Sequence, residues 1–194
     1  MFDSSHFFFF FFFFSFVTGL YRRDYSKVSN QPASQFGSKG TGDGQFNFPY
    51  SVACNSRGET IVADKDNNRI QVFDRNGKFL FKFGSEGKGN GEMNGPRGVG
   101  LLSNENIVVS ESSGSRLQIF DSQGNHVRIV GAGQFNNPWH LFVDSDDNTL
   151  AADSNNDRFQ VYLQNGNHVK TIAIGMFSFP RGVCMDRDGR IIVC

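Results

Sequence analysis

An all-β propeller of four-stranded antiparallel blades is what this sequence predicts, and three observations predict it. The segments RIQVFDRNG from Arg69, RLQIFDSQG from Arg116 and RFQVYLQNG from Arg158 superpose without a gap. Pro49, Pro96, Pro138 and Pro180 recur at spacings of 47, 42 and 42 residues. Within each period the strand signals come in fours, separated by short polar turns, which is the composition of one propeller blade.

The N-terminal segment stands apart from this pattern. Residues 7–14 are eight consecutive Phe, followed by Ser15, Phe16 and Val17. The apolar run from Phe7 to Leu20 has 14 residues, short of the roughly 20 a membrane-spanning helix needs. Asp3 and no basic residue precede it, unlike a secretory leader, and no small-residue cleavage pattern follows. Phe codons are pyrimidine-rich, so residues 1–20 read best as a translated splice-acceptor tract, a gene-model artefact, with a short hydrophobic leader as the alternative. Residues 21–35, polar and carrying Asn30-Gln31-Pro32-Ala33, read as a linker.

The repeats occupy residues 36–194, in units of about 45–84, 92–131 and 134–175 and a partial unit from 176. In the first, strands are expected at Tyr50 to Cys54, Glu59 to Asp64, Arg69 to Asp74 and Lys78 to Phe83. Arg57-Gly58, Asn67-Asn68 and Asn76-Gly77 supply the turns, and Asn76-Gly77 tolerates the positive φ of a tight hairpin between the third and fourth strands. Gln123-Gly124 and Asn165-Gly166 match it in the later units. The longer first spacing points to a loop insertion within Gly84 to Gly91.

The third strand shows how blades stack. In Arg69-Ile70-Gln71-Val72-Phe73, Ile70 and Val72 point to one face and Phe73 to the other, so both faces need a neighbour. A closed ring satisfies every blade. Arg190 to Cys194 matches Glu59 to Ala63, inside a second strand, so three complete blades and a truncated fourth are expected. Such an incomplete ring would expose edges and self-associate through them.

Composition excludes little else. Lys plus Arg and Asp plus Glu both total 19, so no global field draws nucleic acid or an anionic membrane. The three cysteines are odd in number and widely spaced, which suits neither a disulfide scaffold nor a zinc module, and a reducing, cytoplasmic setting is the simpler reading. Cys54 and Cys184 are expected at one shared, buried position of the innermost strands. His6, His126, His140 and His168 lack metal-ligand spacing, and no motif sets a His beside Ser110, Ser112 or Ser113 as a general base.

The ordered motifs, Gly-Gln-Phe-x-x-Pro (Gly44 to Pro49 and Gly133 to Pro138), Ile-Val-Ala-Asp (from Ile61), Asn-Arg-Ile-Gln-Val-Phe (from Asn68) and Lys-Phe-Gly (from Lys82), resemble the NHL repeat over about Phe36 to Cys194. Several spaced motifs recurring in order are far more specific than any one alone. Val62 to Ile70 looks especially like the NHL region of tripartite-motif proteins, in which a RING finger, B-boxes and a coiled coil precede a propeller of about six blades. The resemblance implies that the propeller selects a target, an RNA stem-loop in some members and a protein in others. It implies no catalysis by the propeller.

Two groups of residues stand out. Asp64 with Arg69, Glu111 with Arg116 and Asp153 with Arg158 each pair an acid with a base five positions on. They are either a charged binding rim or structural pairs holding the turn between strands two and three, and repetition in every blade favours the structural reading. The residues after each proline differ: Tyr50, Arg97, Trp139 with His140, and Arg181. In a propeller they begin the innermost strands, on the face that also carries Lys65, Asn67, Ser113 and Asn155 in the turns. Arg and Lys contact phosphates while Tyr and Trp stack on unpaired bases, the mixture RNA loops call for. The bland alternative is aromatic plugs and solvated charges around a channel.

Three function classes follow: recognition of an RNA stem-loop, recognition of a protein as the targeting end of a ubiquitin ligase, and, remotely, a propeller lyase or lactonase. The repeats carry 16 basic and 17 acidic residues, so composition does not separate RNA from protein. No catalytic residue, metal, cofactor, small-molecule substrate or membrane association is expected.

Overall fold

The computed structural model describes residues 35–172, 175–186 and 188–194; the Phe-rich segment and nearly all of the linker lie outside them. Two short strands, β1 (Ser38–Lys39) and β2 (Gln45–Phe46), pair in parallel ahead of the first blade. Among the described residues three four-stranded antiparallel sheets follow in meander order. Blade I is β3 (Pro49–Cys54), β4 (Thr60–Asp64), β5 (Arg69–Phe73) and β6 (Phe79–Phe83). Blade II is β7 (Pro96–Leu101), β8 (Ile107–Glu111), β9 (Arg116–Phe120) and β10 (His126–Val130). Blade III is β11 (Pro138–Val143), β12 (Thr149–Asp153), β13 (Arg158–Tyr162) and β14 (His168–Ile172). A two-stranded sheet, β15 (Val183–Met185) with β16 (Ile191–Val193), follows.

These are propeller blades stacked face to face, and the alternation along the third strands explains the stacking. Ile70 and Val72 pack with Val99, Ile107 and Val109 of blade II, while Phe73 packs on the opposite face with Phe46 and Val62. Leu117 and Ile119 repeat the arrangement one blade on, against Leu141 and Ala151, while Phe120 turns back toward blade I. The last interface gathers Leu150, Ala152 and Phe159 with Val183. Each fully buried Ile, Val or Phe contributes about 1.5–3 kcal/mol, and the middle strands β4, β5, β8, β9 and β12 are buried at every position.

The expected tight hairpin joins β5 to β6 through Asn76-Gly77: Asp74 and Lys78 close it, and Gly77 has positive φ, at 80°. Asp74 Oδ1 accepts the Asn76 and Lys78 N–H groups at 2.8 and 2.9 Å, so the Asp and the Gly together set a three-residue loop. Two other expectations change. Cys54 and Cys184 are exposed, and they do not share a position. Cys54 pairs with Thr60, whereas Cys184 pairs with Ile192, the counterpart of Ile61, whose partner is Ala53. A shift of one residue reverses the face, so the two cysteines lie on opposite faces of their strands. Finally, Gly84 to Gly91 is not a lone insertion. The segment Phe36 to Pro49 has the same length as Phe83 to Pro96 and the same parallel bridging, Lys39 with Phe46 and Glu86 with Met93. The shortened loop, Gly131-Ala132-Gly133, belongs to blade III.

Candidate functional site

The innermost strands β3, β7 and β11 all begin at proline on one rim, and the residue before each proline sits at positive φ: Phe48 at 52°, Gly95 at 64° and Asn137 at 53°. Phe179, before Pro180, adopts 52°. A bulky Phe there is unfavourable by itself and needs the surroundings to hold it. The repeated acid supplies that hold for the loops entering the blades. Asp64 accepts the Asn47 N–H at 2.7 Å and Arg69 Nε at 2.8 Å. Glu111 accepts the Asn94 N–H and Arg116 Nε, both at 2.8 Å, and Asp153 accepts the Asn136 N–H and Arg158 Nε, both at 2.7 Å. All three carboxylates are fully buried, which is tolerable because each is paired and hydrogen-bonded.

With the entries fixed, the side chains that follow the prolines converge. Arg97 sits in the corner formed by two rings, its guanidinium carbon 4.8 Å from the Tyr50 centroid and 3.8 Å from that of Trp139. Arg181 stands 4.4 Å from the Trp139 ring, and Lys65 Nζ 5.9 Å from that of Tyr50. The two rings meet edge to face at 5.8 Å. Cation–π contacts of this kind contribute about 0.5–2 kcal/mol each, so the cluster has a defined shape. It walls an open recess of about 260 Å³ bordered also by Ser51, His140, Gly182 and Cys194.

Residues bordering the recess carry unpartnered polar atoms: the N–H groups at Arg97 Nε and Nη1 and Trp139 Nε1, and the ring nitrogen His140 Nδ1, are buried without a hydrogen-bond partner. Burial is the strongest influence on Arg97 and pulls its guanidinium below the usual range; Tyr50 and Asp66 oppose this and Arg181 adds to it. Burial likewise holds the His140 imidazole below its ordinary value, against an opposing main-chain hydrogen bond at Val183.

Other candidates fall elsewhere. Asn67 Nδ2 donates to the Gly40 carbonyl and to Asp64 Oδ2, at 2.9 and 2.8 Å, so it braces the entry loop. Asn155 is tied to Asn136 and Asn137, while Lys65, beside Tyr50, is ion-paired with Asp66 and does not border the recess itself. Ser113 is exposed and does not border the recess. Ser110 donates to the Trp139 carbonyl and Ser112 to that of Gly95. Sequence reasoning missed Ser51, whose Oγ accepts the Val99 N–H of the next blade at 3.3 Å. Its position directly after Tyr50 was the available signal. Among the described residues, no three His, Cys, Asp or Glu form a group that could hold a metal ion, and no helix is long and apolar enough to cross a membrane.

A family model described as the NHL repeat matches residues 46–73, from the entry loop to the end of β5. Through β3, β4 and β5 the first blade thus matches the NHL repeat. Protein lin-41 of Caenorhabditis elegans is 41% identical over 61 residues, which are 31% of this chain and 5% of that protein. Protein brain tumor of Drosophila melanogaster is 48% identical over 48 residues, 25% of this chain and 5% of its own length. The human E3 ubiquitin-protein ligase TRIM32 is 51% identical over 43 residues, 22% of this chain and 7% of its own. The matched NHL segment is thus a small part of each relative. Among solved structures, an inactive virginiamycin B lyase from Staphylococcus aureus aligns with a TM-score of 0.65 at 16% identity, over 82% of this chain and 52% of the lyase. Kuenenia stuttgartiensis hydrazine synthase aligns at 0.64 and 14% identity, over 80% and 45% of the two chains. At such identities the likeness is one of fold.

Proposed function

We propose that this NHL-repeat chain is a non-catalytic binding module whose rim recognises RNA stem-loops. The observation that carries the reading is the convergence of Arg97, Arg181 and Lys65 on Tyr50 and Trp139, with buried N–H groups of Arg97 and Trp139 left unspent. A guanidinium stacked on a ring keeps its N–H edge for phosphate, and desolvated donors gain most from a charged acceptor. The Arg97 guanidinium is held in the corner between two perpendicular rings, so phosphate capture by its N–H edge leads in this reading. Base stacking falls to Tyr50, a residue 46% exposed. The non-catalytic reading is supported by Ser110 and Ser112, whose hydroxyls are engaged with main-chain carbonyls.

The test is binding of an RNA stem-loop across a salt series. Arg97→Glu with Arg181→Glu abolishes binding; Arg181→Glu alone, at an exposed residue, weakens it and reduces the salt slope by about one phosphate contact. Unchanged affinity in both variants rejects the site. Retained capture of a protein target with no RNA affinity in the unmodified chain would favour the protein-recognition reading instead.

A further inference from the structure

Blades I and II each seat a glycine-rich loop on the repeated Arg and Gln. Arg69 Nη1 donates to the Thr41 carbonyl and Nη2 to those of Gly42 and Gln45, each at 2.8 Å, while Gln71 Oε1 accepts the Gly44 N–H at 3.0 Å. Arg116 repeats this with Lys88, Gly89 and Glu92 at 2.7, 3.1 and 2.9 Å, and Gln118 accepts the Gly91 N–H at 3.1 Å. The third loop is five residues shorter, the difference between the 47- and 42-residue spacings. Arg158 keeps one of these main-chain bonds, Nη2 to the Gln134 carbonyl at 2.8 Å. Its side chain is 26% exposed, against 7% and 8% for Arg69 and Arg116. The Gln160 amide turns its NH2 to β14, donating to His168 Nε2 and Thr171 Oγ1 at 2.8 Å each, while its oxygen accepts from Arg158 Nη2 at 2.8 Å. Gly133, the counterpart of Gly44 and Gly91, has nothing within 4 Å of its Cβ position. What remains is an open recess of about 550 Å³ lined by Gln134, Asn136, Asn156, Arg158, Gln160 and His168.

We propose that this recess is a docking seat for a glycine-containing peptide loop of a partner protein, taken in place of the loop blade III lacks. The occupant's chemistry follows from the two internal copies. It presents two consecutive main-chain carbonyls to the Arg158 guanidinium and, two residues later, an N–H to Gln160 once its amide swings back from β14. Glycine suits the occupant because the blade II loop bends through positive φ at Gly87 and Gly91, 159° and 79°, a region side-chain-bearing residues rarely adopt. This seat is separate from the Tyr50–Trp139 rim and does not depend on RNA binding there.

A fluorescent peptide with the sequence of residues 84–92 tests it by anisotropy against the full chain. Saturable binding is expected, weakened about tenfold or more by Arg158→Gln, as loss of charge-assisted hydrogen bonds implies. Grafting residues 84–91 in place of Gly131-Ala132-Gly133 fills the seat from within and abolishes peptide binding, while circular dichroism reports an intact β fold. Absence of saturable binding, or equal binding to the grafted chain, overturns the proposal. Competition by free acetate as effective as by unlabelled peptide also overturns it, marking the recess as a simple carboxylate site.

Discussion

Blades I and II differ from blade III in one loop, and the difference separates what makes a blade from what decorates it. In all three, an acid at the end of the second strand grips an entry-loop N–H and an Arg Nε. Only in the first two does the rest of the guanidinium disappear under a glycine-rich loop. The blade forms either way, with β12 and β13 pairing in register from Thr149 with Tyr162 to Asp153 with Arg158. The acid's grip on the entry loop is therefore the shared scaffold, and the loop is a removable cover.

The largest test of this contrast is removal of the acid. Asp64→Ala and Glu111→Ala leave an Arg buried without its counter-charge and should each cost about 3–5 kcal/mol in urea denaturation. Asp153→Ala should cost less, because Arg158 can turn to water through the open recess. Equal costs in the three blades would show that the loop cover does not decide the burial of the pair.

Glycine substitutions probe the same contrast more gently. Gly124 has φ of 86° and its Cβ would stand 2.5 Å from the Phe83 ring of the preceding blade, whereas Gly133, at 73°, has open space. Gly133→Ala should cost only the left-handed penalty of about 1–2 kcal/mol, and Gly124→Ala more, by thermal denaturation. The reverse order would mean that the short loop of blade III is under tension.

The smallest effect is a pH dependence. Burial, the strongest influence on both, holds the His140 and His126 imidazoles below their ordinary 6.5. They stay neutral in the fold while the unfolded chain takes up protons, so their contribution is complete above pH 6.5 and is lost as pH falls below it. A Tm that declines between neutral and mildly acidic pH, with the decline reduced in His140→Gln, is expected. A profile identical in the variant would remove His140 from the account.

Much of the fold was legible because it is local. Alternating apolar residues in Arg69 to Phe73, prolines at fixed offsets and a glycine at each β5-to-β6-type turn repeat often enough to be read without a partner. The site was legible in part. The rule that residues after each proline line one rim brought Tyr50, Arg97, Trp139, His140 and Arg181 to a single recess, while Asn67 and Asn155 went into bracing loops. Position in the repeat does not say whether an amide will find a nearby carbonyl. The exposed Cys54 and Cys184 show the limit again, since one residue of register sets which face a strand residue occupies.

By itself the sequence determined the blade unit, its period and the identity of its paired acid and base, because these depend on spacing along one chain. Only the tertiary structure decided that Arg97 lies in a corner made by rings from the two neighbouring blades. It also decided that a five-residue difference uncovers Arg158. Both depend on distances between residues tens of positions apart, which stacking sets and spacing alone does not.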